Sequence, residues 1–284
     1  MRRAAILLAT LALTATCFAQ DKKDDAKKAP PAATTPAATT PAPADQGKRP
    51  PQAKTQPEFD AYKVAAATTD SAALEKASDD FAQKFPDSEL RLLLYKQAMR
   101  TYQGTNNAEK MADMGRKVLA LDGDDPEALL DVAQSLAERT RETDLDKAQK
   151  YDEAQKLAEK SLKTIETDLV VPPGTPQEKI DQYKAFLRSS AYSVLGTIYF
   201  NKDTKEDYAK AEENLRKSID VLPAQPDPVS VLRLSIAMDK QGRYTDALVE
   251  ATKSVGLTKE GTTVGDMARR EQDRLQKLTA NSIK

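Results

Sequence analysis

Residues 192–199 read Tyr192-Ser193-Val194-Leu195-Gly196-Thr197-Ile198-Tyr199, and a short turn later the chain resumes with Tyr208-Ala209-Lys210-Ala211. Tyr192, Leu195, Gly196 and Tyr199 are offset by three, four and seven residues, which puts them on one face of an α-helix. A small residue between large ones lets a neighbouring helix approach while the large ones fill the space above and below it. In the second segment Tyr208, Ala211, Leu215 and Ser218, offset by three, seven and ten residues, likewise share one helix face, so the pair predicts two helices crossing at Gly196.

The pattern is not solitary. Tyr-x-x-Ala recurs at Tyr151 and Ala154 and at Tyr244 and Ala247, continuing to Ala158 and Ser161 and to Ala251 and Ser254. Upstream of each lies the other half: Leu129, Val132, Ala133 and Leu136, then Val231, Leu234, Ser235 and Met238. A less regular copy runs through Tyr95, Ala98, Met99 and Tyr102 to Met111, Gly115, Val118 and Leu119. Asp125-Pro126 and Asp227-Pro228 pair an N-capping side chain with proline at the first helical position, and Thr175-Pro176-Gln177-Glu178 reads as a capping box.

Repetition at this period resembles the tetratricopeptide repeat, a helical hairpin of about 34 residues. Residues 92–125 and 228–261 match without insertion. Residues 189–225 carry extra residues in the turn and a closing Pro223, residues 126–168 carry a longer insertion, and 57–91 resembles a degenerate copy. The resemblance implies an all-α fold, an α-solenoid of antiparallel helical hairpins, ended by a capping helix at 263–279 with Val264, Met267, Ala268, Leu275 and Leu278 inward. The continuous apolar spacing from Ile180 to Tyr199, with a charged helix before it, predicts a long hairpin projecting beyond the solenoid.

The amino-terminal part has a different composition. Arg2 and Arg3 precede an apolar run and a small-x-small ending at Cys17-Phe18-Ala19, so residues 1–19 read as a signal peptide and the chain is expected in the periplasm or secreted. The alternative, lipidation of Cys17, is disfavoured by Thr16 in the preceding position. Residues 20–56 contain no aromatic or branched aliphatic side chain, and 31–40 duplicate Pro-Ala-Ala-Thr-Thr. They read as a disordered Pro/Ala/Thr-rich tether, leaving residues 57–284 for the repeats. No later stretch is apolar enough to span a bilayer.

Composition narrows the chemistry. The chain has no histidine and one cysteine, so the commonest general base and metal ligand are missing, and no catalytic residue, metal or cofactor is assigned. With Arg2 and Arg3 removed, 41 basic residues face 44 acidic ones, and nucleic acid is not an expected partner. The expectation is a non-enzymatic scaffold or assembly factor of the bacterial cell envelope, holding a protein or peptide in a concave groove. The alternative is a self-associating spacer. By the resemblance, groove positions lie one and five residues after each repeat's first core residue: Lys96 and Arg100, Leu130 and Gln134, Ser193 and Thr197, and Leu232 and Ile236. A carboxylate clamp of the kind found in some such grooves is not expected, because Asp131 stands near the position wanting Asn.

Overall fold

The computed structural model describes residues 48–172 and 174–281. The assigned signal peptide, Cys17 and residues 20–47 of the tether lie outside these. Among the described residues there are eleven helices and no strand: α1 (Gln56–Ala66), α2 (Ser71–Lys84), α3 (Leu90–Gly104), α4 (Ala108–Leu121), α5 (Pro126–Arg139), α6 (Lys147–Thr164), α7 (Gln177–Lys202), α8 (Lys205–Val221), α9 (Pro228–Lys240), α10 (Tyr244–Leu257) and α11 (Thr263–Asn281).

Each helix packs on its sequence neighbours, and α1 also meets α3, α5 meets α7, α7 meets α9, and α9 meets α11. The backbones thus approach most closely within the odd-numbered row, which makes that row the inner side of the array. Across the even-numbered row the links are side-chain ion pairs: Lys110 with Glu75 and Lys117 with Asp79 join α4 to α2, and Arg116 with Glu153 joins α4 to α6.

Three of the hairpin turns use one device. The chain reverses through a residue at positive φ: Asn106 (56°), Asp203 (59°) and Gly242 (80°). Asn, Asp and Gly tolerate that region because a short polar side chain bonds locally or no Cβ is present. The α5–α6 connection instead runs through residues 140–146 and leaves Leu145 wholly exposed.

Small residues sit where helices cross. A Cβ at Gly196 would lie 2.6 Å from Leu215 Cγ, and one at Gly115 would lie 2.8 Å from Val132 Cγ2. Ala154, Ala211, Ala247 and Ala251 have no exposed surface. Serines tie the hairpins shut, Ser161 Oγ donating to the Pro126 carbonyl at 2.8 Å, Ser254 Oγ to that of Pro228 at 3.1 Å, and Ser189 Oγ to that of Ser218 at 2.8 Å. Asp125 caps α5 through the Ala128 amide, and Asp227 caps α9 through Val229 and Ser230.

Several expectations are corrected. The capping box at Thr175 does not form: Thr175 Oγ1 donates to the Pro172 carbonyl, and α7 starts without a side-chain cap. A box is present instead at Thr55 and Glu58, opening α1. Residues 48–56, assigned to the tether by composition, pack on the repeats. Lys48 reaches Asp122 at 2.6 Å, Arg49 holds Glu89 bidentately, and the Lys54 and Thr55 amides donate to the buried Glu58 carboxylate, which also accepts from Ser88. Polar bonds, with Ala53 packed on the core around Phe81 and Leu90, hold this segment, so a search for large core residues passed over it. On α11, Ala268 and Leu275 are buried while Met267 is half exposed.

The projecting hairpin is also corrected. α7 is 26 residues long, about 39 Å, and only its opening stretch to Gln182 is mostly exposed. From Tyr183 onward it lies against the array: Tyr183, Phe186 and Leu187 join the core that includes Leu130, Ala133 and Ala137 of α5. Lys184 and Arg188 pair with Glu166, just beyond the end of α6.

Candidate functional site

The inner row presents two different surfaces. Between α3 and α5, with α7 closing over them, lies a cluster of charged groups. Lys96 Nζ is 2.6 Å from Asp125 Oδ2 and 2.5 Å from Glu127 Oε2; Arg100 Nη2 is 2.7 Å from both Glu127 oxygens; Tyr183 donates to Glu127; Gln103 Nε2 donates to Asp131 at 3.4 Å. Lys96, Asp125, Glu127 and Asp131 are all buried.

Burial and charge act against each other here. Burial alone would raise the Glu127 pKa, but Lys96 and Arg100 outweigh it and bring the carboxyl down to about 2. Among the described residues no cation forms an ion pair with Asp131. Burial, reinforced by the neighbouring Glu127 charge, pushes it up to about 7. Burial works to lower the Lys96 pKa, and Glu127 and Asp125 overcome it. The cluster is satisfied internally, and its cations are taken by carboxylates of the same chain.

The second surface runs along α7 and α9, with the end of α5 beside it. Ser193 and Ser230 hydroxyls share a hydrogen bond of 2.7 Å, Ser230 Oγ donates to Asp227 Oδ2, Thr197 Oγ1 donates to the Ser193 carbonyl, and Arg233 Nη1 donates to Thr197 Oγ1 at 2.8 Å. Asn201 Nδ2 donates to the Ala137 carbonyl of α5. Ile236 and Gln134 stand half-buried on the same row, Gln134 donating to Glu138.

The eight groove positions thus divide. Lys96, Leu130, Thr197 and Leu232 are buried rather than exposed. Lys96 is enclosed by its two carboxylates. Leu130 is covered because α7, longer than its repeat, crosses α5 and fills the hollow there. Thr197 is held between its own helix and Arg233. Gln134, Ser193 and Ile236 are half-buried, and Arg100, though paired, keeps half its side chain in solvent. Sequence reasoning missed Arg233, a residue between two assigned positions whose only signal was a charge inside an otherwise apolar helix, Val231-Leu232-Arg233-Leu234. It also missed Tyr183 as the group that closes the charged cluster.

Repeated hairpins with small residues at the crossings, turned by positive-φ residues and curved toward the odd-numbered row, fix the architecture. The described residues form an α-solenoid of antiparallel helical hairpins. No protein-family model matches the chain, and no curated protein does. Solved structures are similar to the solenoid. The crystal structure of MamA protein covers 70% of this chain and 89% of its own, at 14% identity and a TM-score of 0.49. TTC0263, a thermophilic TPR protein in Thermus thermophilus, covers 77% of this chain and 99% of its own at 14% identity and a TM-score of 0.45. The assembly chaperone of RpL4, Acl4, covers 80% and 99% at 12% identity and a TM-score of 0.39. Among the described residues no helix is long and apolar enough to cross a membrane.

Proposed function

We propose that this solenoid is an exported, non-enzymatic scaffold of the cell envelope that holds a segment of another protein along the inner side of α7 and α9. The observation that carries this reading is the contrast between the two inner surfaces. The α3–α5 hollow is filled by α7 and by ion pairs internal to the chain, whereas the α7–α9 strip keeps polar and apolar side chains, Ser193, Arg233 and Ile236, half-buried and partly in solvent. Concave rows of this kind are where solenoids bind extended or helical segments. Export rests on the signal-peptide composition of residues 1–19.

A photoreactive amino acid placed at Ile236, compared with one at Val249, tests the reading in cells. Val249 lies on the outer helix α10 and is 63% exposed. The expected result is crosslinking to a cell-envelope protein from position 236 and not from 249. Equal crosslinking from both, or crosslinks only to other copies of this chain, would favour the self-associating spacer. Mass spectrometry of the exported chain should give Gln20 as its first residue; a diacylated Cys17 would place it on a membrane leaflet.

A further inference from the structure

Arg233 is a partly buried guanidinium on α9 that donates to a neutral hydroxyl, Thr197 Oγ1. Among the described residues no carboxylate forms an ion pair with it, whereas Arg100, the groove arginine of α3, is paired with Glu127. Two carboxylates send their field toward it, Glu138 and Asp227, yet burial prevails and its pKa is lowered. Asp227 is occupied as the cap of α9, accepting from Val229 and Ser230. Glu138 is exposed and accepts from Gln134. A desolvated charge without a counter-ion is costly to the fold that holds it.

The neighbouring hydroxyls sharpen the chemistry. Ser230 gives its proton to Asp227, so Ser193 gives its own to Ser230, and Thr197 gives its own to the Ser193 carbonyl. Ser193 Oγ, the half-buried one of the three, therefore offers an acceptor to an incoming backbone N–H, and the guanidinium is the group left to donate. Arg233 also lies between Ser230 and Ile236 on its helix, so the strip passes it on both sides and a bound chain need not end there.

We propose that Arg233 is the anchor for an acidic side chain, Asp or Glu, of a peptide lying along the α7–α9 strip, with Ile236 packing against the apolar residue next to it. This rests on the reading of the strip as a peptide-holding surface. Pairing with a carboxylate would supply the charge-assisted, bidentate bond that the fold itself leaves unmade.

Random twelve-residue peptides displayed on phage and selected on the chain from Gln20 to Lys284 provide the probe. Selected peptides are then synthesised with an amidated carboxyl terminus, and each acidic residue is exchanged for its amide. The expected result is enrichment of peptides with at least one Asp or Glu whose exchange weakens binding roughly 10- to 100-fold, with Arg233→Gln causing the same loss and no further loss when both changes are combined. Arg233→Gln should melt at or above the wild-type temperature, because it removes an unbalanced charge; a marked fall would mean that Arg233 serves the fold and would overturn the proposal. Peptides that bind without acid dependence, or only with a free carboxyl terminus, also overturn it while leaving the peptide-holding reading standing. Failure to enrich any peptide overturns both.

Discussion

Tyr183 on α7 donates its phenolic hydrogen to the Glu127 carboxylate on α5, joining helices that are not sequence neighbours and sealing a cluster of charges beneath the inner face. The bond decides which part of the concave side remains open, since it fastens α7 across α5. Tyr183→Phe keeps the ring and its stacking on Phe186 but takes one donor from a buried carboxylate that still has Lys96 and Arg100. The expected cost is about 1 kcal/mol in denaturant unfolding, with faster amide exchange in residues 177–187. Unchanged exchange there would show that apolar contacts alone hold α7 in place.

Asp131, in the same cluster, faces Glu127 and Asp125 on its own helix, Lys96, Arg100 and Gln103 on α3, and is raised to about 7. An unfolded Asp titrates near about 3.9, so the folded state holds this proton more tightly. Stability from the neutral form is complete below about pH 4 and is lost as the pH rises through about 7. Asp131→Asn removes the titration. Its stability relative to wild type should therefore climb between about pH 4 and 7, by about 1.4 kcal/mol for each unit separating the two pKa values, and level off above. Glu127, lowered to about 2, titrates below this window in both proteins and cancels. A difference that is flat with pH would mean that Asp131 is ionised throughout.

The array itself was legible in the sequence because helical offsets with a small residue amid large ones record a crossing, and Gly196 with Leu215 is that record. The inner surface was harder to read. A repeat register says which residues face inward, yet whether Leu130 or Lys96 is reachable depends on what crosses it, and the crossing element was the extra length of α7, read as projecting because Ile180, Asp181 and Gln182 gave no sign of where Tyr183 and Leu187 would dock. Charge placement was equally opaque: Lys96 and Arg100 look like groove cations until Asp125, at the end of the same repeat, and Glu127, from the next, are seen to occupy them. Hydropathy also gave no warning of residues 48–56, which are held by hydrogen bonds.

That segment changes what a truncation should do. A chain starting at Pro57 lacks Thr55, whose hydroxyl accepts from the Glu58 amide, and the Lys54 and Thr55 amides that donate to the Glu58 carboxylate. It also loses the Arg49 pair with Glu89 and the Lys48 bond to Asp122. Loss of the cap costs about 1 kcal/mol, and a buried carboxylate deprived of donors about 1–3 kcal/mol more. A chain starting at Pro57 should melt several degrees below one starting at Lys48, with the deficit concentrated in amide exchange of α1. Equal melting temperatures would show that the segment contributes nothing to stability.

Gly196 offers the most direct test of the hairpin packing. The Cβ of any other residue would stand 2.6 Å from Leu215 Cγ and 2.8 Å from its Cδ2, with the Leu215 backbone nitrogen at 3.3 Å. Leu215 is fully buried, so its side chain can yield only by disturbing Tyr208, Ile219 and Val231, which share its core. In Gly196→Ala the helix-propensity gain of about 1 kcal/mol offsets part of the cost of one methyl. The backbone contact makes that offset insufficient: the methyl cannot be accommodated by turning Leu215 alone, and the two helices must separate. Gly196→Ala is expected to destabilise by about 1–3 kcal/mol and Gly196→Leu by more, enough to compromise folding of the α7–α8 hairpin. Pairing Gly196→Ala with Leu215→Ala supplies the control. If the clash is the cause, truncating Leu215 should cost less in the Gly196→Ala background than in wild type, a coupling measurable by a double-mutant cycle. Strict additivity of the two changes would show that Gly196 and Leu215 do not meet.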